Sequence, residues 1–163
     1  MEFRKNDLVT LEIEDCGIDG EGIGKADGFT VFVKDAVIGD TVRAKIMKAK
    51  KNYGYGRLEE ILTPSPNRVE PECAFARQCG GCQLQALSYE KQLEFKAGKV
   101  KGHLERIGGF TDIPMEEILG REQPFHYRNK AQFPVGKSKD GRIITGFYAG
   151  RTHSIIENRD CAL

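Results

Sequence analysis

Short runs of alternating apolar and polar residues, separated by glycines, most constrain how this chain folds. Val9, Leu11 and Ile13 alternate with polar residues, which is the period of a strand with one buried face. The same alternation recurs in three further runs: Phe29, Val31 and Val33; Val42, Ala44 and Ile46; and residues 55–62. Glycines crowd the first connection, at Gly17, Gly20, Gly22, Gly24 and Gly28. Short strands with glycine-rich turns favour a small barrel, because closure removes exposed sheet edges. We therefore predict a barrel over residues 1–62.

The net charge of +1 conceals an uneven distribution along the chain. Residues 1–40 hold 4 basic and 10 acidic residues, whereas residues 41–57 hold 6 basic residues and no acidic one. We name the second group, with one tyrosine, the basic stripe: Arg43, Lys45, Lys48, Lys50, Lys51, Tyr53 and Arg57. Cations neutralise phosphates, and the ring of Tyr53 or Tyr55 offers a stacking surface to an unpaired base. The pattern predicts nucleic-acid binding, although from composition alone a solvated strand face with ordinary core tyrosines is an equal alternative.

The rest of the chain divides at a proline-rich linker. Three prolines between residues 63 and 71 mark a stiff linker and a domain boundary. Ser88 is a plausible N-cap for a helix that ends before Gly108. Its apolar positions step by 4 and 3 residues, so one face needs a partner surface that this sequence barely provides.

Strands are expected again after residue 121. Residues 127–135 and 142–148 predict a β-hairpin with a six-residue turn, and a further strand is expected near residues 152–157. Arg128, Lys130 and Gln132 alternate along the first hairpin strand. We therefore predict that they share one face and contact phosphate or a base edge, the alternative being an exposed polar face.

Five cysteines form the second distinctive pattern. Cys73, Cys79 and Cys82 are separated by five and then two residues, and Cys161 follows much later. Three close thiolates and one distant one favour an iron–sulfur cluster, with Gly80 and Gly81 allowing the backbone to wrap the sulfurs. A structural zinc site is the main alternative, and a disulfide is less favoured in a reducing compartment. Cys16 lies apart from these four and is expected to be a small buried residue.

These motifs together resemble one enzyme family, the bacterial RNA (uracil-5-)-methyltransferases, and within it the branch acting on 23S ribosomal RNA. The resemblance is carried by the glycine-rich barrel with Lys51-Asn52-Tyr53-Gly54-Tyr55-Gly56-Arg57, the motif Cys73-x5-Cys79-Gly-Gly-Cys82 and the following Gln83-Leu84-Gln85 with Tyr89, Gln92 and Lys96. It continues through Tyr127-Arg128-Asn129-Lys130-Ala131-Gln132 and Phe147-Tyr148-x4-His153 to Cys161.

The resemblance implies an α+β, predominantly β architecture. Residues 1–62 would form a TRAM domain, a five-stranded OB-like RNA-binding barrel. Residues 63–87 would be the linker and cluster segment, residues 88–120 a helix packing on a catalytic domain, and residues 121–163 the hairpin part of a central RNA-binding domain. Cys73, Cys79, Cys82 and Cys161 would hold a [4Fe–4S] cluster.

The resemblance also sets expectations about activity. S-adenosylmethionine and the catalytic residues belong to a C-terminal domain of the family that this sequence does not contain, so the chain alone is expected to be inactive. Its expected partner is RNA, foremost 23S ribosomal RNA. No signal-like or membrane-spanning apolar run occurs, so we expect a cytoplasmic protein without a membrane partner. We also expect a monomer.

Three alternatives remain at this stage. The first is a stand-alone RNA-binding module, and the second is a tRNA uracil-5-methyltransferase. The third, a radical methylthiotransferase, is disfavoured because its three cysteines are spaced by three and two residues.

Overall fold

The computed structural model describes residues 3–163. Five strands form a closed barrel in the order β1-β2-β3-β5-β4. They are β1 (Leu8–Cys16), β2 (Gly22–Ala26), β3 (Phe29–Lys34), β4 (Thr41–Ala49) and β5 (Tyr53–Thr63). Neighbouring strands are antiparallel except β3 and β5, which run parallel and close the barrel. The prediction of a mostly β fold with an N-terminal five-stranded barrel is confirmed.

The barrel interior is the main hydrophobic core of the chain. The side chains predicted to point inward are buried: Val9, Leu11, Ile13, Val31, Val33, Val42, Ala44 and Ile46. Phe29 is only partly buried and packs on Phe3, with ring centroids 5.1 Å apart. The alternation in the sequence therefore located this core correctly.

One strand lies where the sequence indicated only a connection. β2 contains Gly22 and Gly24, and glycine is a poor strand former. Backbone packing explains why glycine occupies position 24, because a Cβ there would lie 2.2 Å from the carbonyl oxygen of Glu12 on the paired strand. Glycine is required here by close approach between backbones.

The linker is fixed to the barrel by a buried ion pair. Asp40 is fully buried and accepts hydrogen bonds from the backbone N–H groups of Val37 (2.8 Å) and Ser65 (2.9 Å). The guanidinium of Arg68 donates to the same carboxylate at 2.5 to 3.2 Å and to the carbonyl oxygen of Asp35 at 2.9 Å.

One helix, α1 (Tyr89–Arg106), follows the cysteine segment, and the helix prediction is confirmed. The Ser88 hydroxyl accepts from the N–H of Lys91, as expected of an N-cap. None of the residues of α1 is buried, so its apolar stripe is only partly covered within residues 3–163. No helix in that range is long and apolar enough to span a bilayer.

The last strands form a small antiparallel sheet, β6-β7-β8. They are β6 (Val135–Lys137), β7 (Ile143–Tyr148) and β8 (Ile155–Glu157). The hairpin and the later strand are present, but Gly136 and Lys137 belong to β6, so the predicted six-residue turn was too long.

The predicted first hairpin strand was also too long, because residues 127–134 are irregular. Pro134 precedes β6 and has no N–H to donate, which limits the ladder at this point. Upstream, the N–H of Arg128 donates to the carbonyl oxygen of Leu163. The prediction that Arg128, Lys130 and Gln132 share one strand face was therefore wrong.

Candidate nucleic-acid interface

A row of cations crosses three strands on the outer face of the barrel. In the strand register, Lys34 on β3 lies beside Arg57 on β5, which lies beside Lys45 on β4. Inward-facing Val33, Gly56 and Ala44 alternate with them, so the three cations point outward together. Like charges on neighbouring strands repel one another, which favours an anionic partner over this row, and Glu59 supplies one to Arg57 only.

An aromatic cluster lies beside the cation row. The rings of Phe32 and Tyr55 sit on paired residues of β3 and β5, with centroids 5.5 Å apart. Tyr53 meets both rings edge-on at 5.8 Å and is 38% exposed. Three aromatic rings on an exposed sheet face offer flat surfaces on which unpaired bases stack.

A β-bulge places Lys48 next to this cluster. The register of β4 and β5 shifts between Ile46 and Lys48, so both Met47 and Lys48 are exposed and Lys48 pairs with Tyr55. Strict alternation would have pointed Lys48 inward, whereas the bulge turns it outward.

The arginines of the basic stripe are paired with carboxylates, whereas its lysines are not. Arg43 forms an ion pair with Glu60, and Arg57 binds Glu59 at 2.7 Å. Within residues 3–163, no carboxylate lies within ion-pair distance of the remaining cations, which are Lys45, Lys48, Lys50 and Lys51. These four lysines therefore carry most of the unneutralised charge of the stripe.

Sequence reasoning missed Phe32 and Lys34. The sequence did predict that both side chains point outward, because the alternation that buries Val31 and Val33 turns Phe32 and Lys34 to the other face. Their relevance depends on the parallel pairing of β3 with β5, which no local pattern reveals. Arg128, Lys130 and Gln132 are exposed on the irregular segment before β6.

The cysteine segment is attached to the turn after β7. The N–H of Gly80 donates to the carbonyl oxygen of Tyr148 (2.9 Å), and the N–H of Gly150 donates to that of Gln78 (3.3 Å). Cys79 and Ala149 form an isolated antiparallel bridge. The N–H of Gly81 donates to the Sγ atom of Cys79 at 3.3 Å.

The predicted ligand cysteines lie near one another. Burial raises the pKa of the Cys82 thiol, a hydrogen bond with Gln85 lowers it, and the nearby Cys79, Cys161 and Cys73 raise it further. All five cysteines are free thiols. Within residues 3–163, however, no group of three or more His, Cys, Asp or Glu side chains is arranged to hold a metal ion.

Cys16 is separate from this group. It is 4% exposed, and burial raises its pKa to about 11, with Lys99 lowering it and Asp15 and Glu21 raising it. A thiol with a raised pKa is a poor nucleophile. The interpretation of Cys16 as a small buried residue is confirmed.

Comparison with known proteins assigns the barrel to a domain family. The TRAM domain model matches residues 3–58. A protein of Clostridium tetani named as an RNA methyltransferase is 51% identical over 158 residues, which cover 97% of this chain and 34% of that protein. A similarly named protein of Halalkalibacterium halodurans is 45% identical over 159 residues, covering 98% of this chain and 34% of that protein. The chain thus spans about a third of the length of these relatives.

A solved structure shows the same likeness. The crystal structure of Pyrococcus abyssi tRNA (uracil-54, C5)-methyltransferase in complex with S-adenosyl-L-homocysteine aligns with a TM-score of 0.51 and 27% identity. The alignment covers 93% of this chain and 32% of that one. These comparisons do not distinguish the 23S ribosomal RNA branch. The chain therefore contains a TRAM domain, and over nearly its whole length it is similar to about a third of proteins named as RNA methyltransferases.

Proposed function

We propose that this chain is the RNA-binding part of an S-adenosylmethionine-dependent RNA (uracil-5-)-methyltransferase. The outer face of the barrel would hold single-stranded RNA, with Lys34, Lys45 and Lys48 on phosphates and the aromatic cluster under unpaired bases. The single observation that carries this proposal is the alignment of the cation row with the rings of Phe32, Tyr53 and Tyr55. Cations beside aromatic platforms are typical of sequence-tolerant single-strand binding.

Reversing the free charges of the basic stripe tests the RNA contact. Replacing Lys48, Lys50 and Lys51 with Glu should weaken binding to a single-stranded RNA and flatten its salt dependence, because fewer counterions are released. The measurement is fluorescence anisotropy titration at several salt concentrations.

A control with the same charge change belongs on the helix. Lys96, Lys101 and Arg106 of α1 are exposed and lie outside the barrel. Their replacement with Glu should change affinity less, and the salt slope should remain near the wild-type value. Equal losses in both triple variants would show that only net charge matters and would remove the barrel face from the proposal.

We further propose that Cys73, Cys79, Cys82 and Cys161 hold a [4Fe–4S] cluster. Their spacing, their free thiols and the electrostatic influence of the other three thiols on the pKa of Cys82 support it. The hydrogen bond from Gly81 to the Sγ atom of Cys79 is of the kind that stabilises charge on a ligating sulfur. Bound by four thiolates, the cluster would cross-link Cys161 to the cysteine segment, and each of its irons would have a cysteine ligand, so none would be open to substrate.

Anaerobic purification tests the cluster directly. The protein should be brown and contain iron and acid-labile sulfide, and Cys82→Ser should lose both. Cys16→Ala is the matched control, because Cys16 is buried apart from the group, and it should retain the iron. Colourless protein with stoichiometric zinc would instead establish the zinc alternative.

The identity of the RNA has two candidates. The sequence motifs favour 23S ribosomal RNA, whereas the structural likeness to a tRNA (uracil-54, C5)-methyltransferase favours tRNA. Competition between a 23S ribosomal RNA fragment and unmodified tRNA for the wild-type chain would decide between them. Methyl transfer by this chain alone is not expected.

A further inference from the structure

A cleft of about 850 Å³ lies between the barrel and the cysteine segment. Phe32 and Tyr55 line it from the barrel, and Phe147 and Tyr148 line it from β7. The backbone of Gly80 and Gly81 forms part of the wall that carries Cys79 and Cys82. This volume lies in the range of pockets that enclose small organic ligands, and it exceeds what one nucleobase needs.

The cleft is continuous with the face proposed to bind RNA. Tyr55 belongs to both, and Tyr53 touches its ring edge-on at the exposed side. The opposite wall is held in place by the backbone hydrogen bonds of Gly80 and Gly150. An RNA strand crossing the aromatic cluster could therefore turn a single base into the cleft without first opening it.

The charges lining the cleft select between a base and a phosphate. Asp19, Glu21 and Asp35 line it, while Lys34 and Arg151 are its basic members. Arg151 lies 3.7 Å from both Asp19 and Glu21, so it is partly neutralised. Carboxylates repel phosphate but accept hydrogen bonds from amino groups.

Glu21 has unused acceptor capacity. Its side chain is 13% exposed, and within residues 3–163 its solvent-shielded Oε2 atom has no hydrogen-bond partner. A ligand in the cleft cannot reach an atom that solvent does not reach, so its donor would meet the Oε1 atom, which lies 3.7 Å from Arg151 and beyond hydrogen-bond distance of it. Guanine can donate to this wall from both its amino group and its N1–H, whereas uracil has a single Watson–Crick-edge donor, its N3–H, between two carbonyl oxygens.

We propose that this cleft receives one unpaired, amino-bearing nucleobase, guanine foremost, from a single-stranded RNA. The inference rests on the proposed RNA binding by the barrel face. It assigns to the cleft a base distinct from a uracil substrate and makes the cysteine segment one wall of the site.

Three uridine nonamers test the base preference with the wild-type chain. One is all-uridine, one has a central guanosine, and one has a central inosine, which lacks the amino group. The guanosine nonamer should bind at least about fivefold more tightly than the all-uridine one, since a hydrogen bond from its amino group to a carboxylate contributes that much or more. The inosine nonamer should lose part of this gain.

A variant that fills the cleft locates the preference. Gly150 lines the cleft, and a Cβ there meets no atom within 4 Å, so Gly150→Leu places bulk in open space. This variant should bind the all-uridine nonamer as the wild type does, with the same salt slope, but without the guanosine preference. Gly98→Leu is the matched control, because Gly98 also has open space, on α1, and it should keep the preference.

The outcomes separate the two proposals. Salt-dependent binding of all three nonamers with equal affinity would overturn the cleft assignment and leave the RNA-binding function standing. A guanosine preference that survives Gly150→Leu would place the base elsewhere and overturn it as well. Absence of binding to every nonamer would overturn the RNA-binding function and the cleft assignment together. If Gly150→Leu does not fold, Tyr148→Leu replaces it, because Tyr148 lines the cleft from β7 and lies outside the aromatic cluster, and the same loss of preference is expected.

Discussion

Asp40 shows how much of the architecture can depend on one side chain. It is fully buried and receives donors from three segments: the turn before β4, the linker at Ser65 and the guanidinium of Arg68. Burial alone would raise its pKa, but the hydrogen bonds from Arg68, Ser65 and Val37 and the charge of Arg68 hold the pKa below its ordinary value. The ionised carboxylate therefore stabilises the attachment of linker to barrel.

Asp40→Asn should lower the free energy of unfolding by about 3 kcal/mol, because it leaves the largely buried Arg68 without its counter-ion. Because the folded-state pKa is lowered, the stabilisation from Asp40 is present above the unfolded-state pKa and is lost as pH falls through the folded-state value. Urea unfolding at several pH values measures this, and the difference between wild type and variant should shrink in acid.

The exposed pair of Arg57 and Glu59 provides the comparison. Glu59→Gln should cost less than about 1 kcal/mol, because an exposed ion pair is largely screened by solvent. A similar cost for both substitutions, or a difference that does not change with pH, would refute the role given to Asp40.

At the scale of elements, the sequence predicted what local periodicity controls. The residues facing the barrel core, the N-cap at Ser88 and the course of α1 all follow from period and capping, and the structure confirms them. β2 was missed because Gly22 and Gly24 are dictated by backbone contact rather than by strand propensity. The face with Phe32 and Lys34 was missed because it depends on the parallel pairing of β3 and β5.

The wrong prediction of a strand at residues 127–134 arose because local periodicity was present but the tertiary contacts of the segment overrode it. There the alternation of Arg128, Lys130 and Gln132 was real, but Pro134 and the bond from Arg128 to Leu163 draw the segment away from the sheet. Periodicity indicates what a segment favours, and a partner edge must exist for a strand to form.

Replacing Gly24 or Gly98 with Ala should have opposite effects on stability. Gly24→Ala should strongly destabilise the barrel, because its Cβ would lie 2.2 Å from a carbonyl oxygen of β1. Gly98→Ala on the exposed helix should instead stabilise the chain by roughly 0.5–1 kcal/mol through helix propensity. Thermal unfolding followed by circular dichroism compares the two, and a tolerated Gly24→Ala would show that β1 and β2 separate readily.

At the scale of the whole molecule, the parts differ in how they are stabilised. The barrel has a hydrophobic core of its own, whereas only three residues beyond residue 120 are buried, namely Gly146, Asn158 and Ala162. Leu87 is the one buried apolar residue between residues 64 and 120. Polar contacts connect the parts, among them Lys34 to the carbonyl oxygen of Arg77 (3.1 Å) and Lys99 to Asp15 (3.0 Å). The proposed cluster would stabilise the region beyond residue 120, where few residues are buried.

Replacing the four proposed ligand cysteines with Ser should therefore act locally. Amide hydrogen exchange should accelerate over residues 135–157 and remain slow in the barrel strands, because the barrel core contains none of these cysteines. Mass spectrometry of exchanged peptides measures both regions in one sample. Equal acceleration in barrel peptides would show that the barrel depends on the cysteine group.

The distance in sequence between Cys82 and Cys161 also orders events during synthesis. The barrel is complete once Thr63 has been made, and the three early cysteines follow soon afterwards. Their fourth proposed partner is made 79 residues later, a delay on the order of ten seconds at usual rates of translation. During that interval a nascent chain would expose three unshielded thiols beside a finished barrel, so metal loading would have to wait for the growing end of the polypeptide.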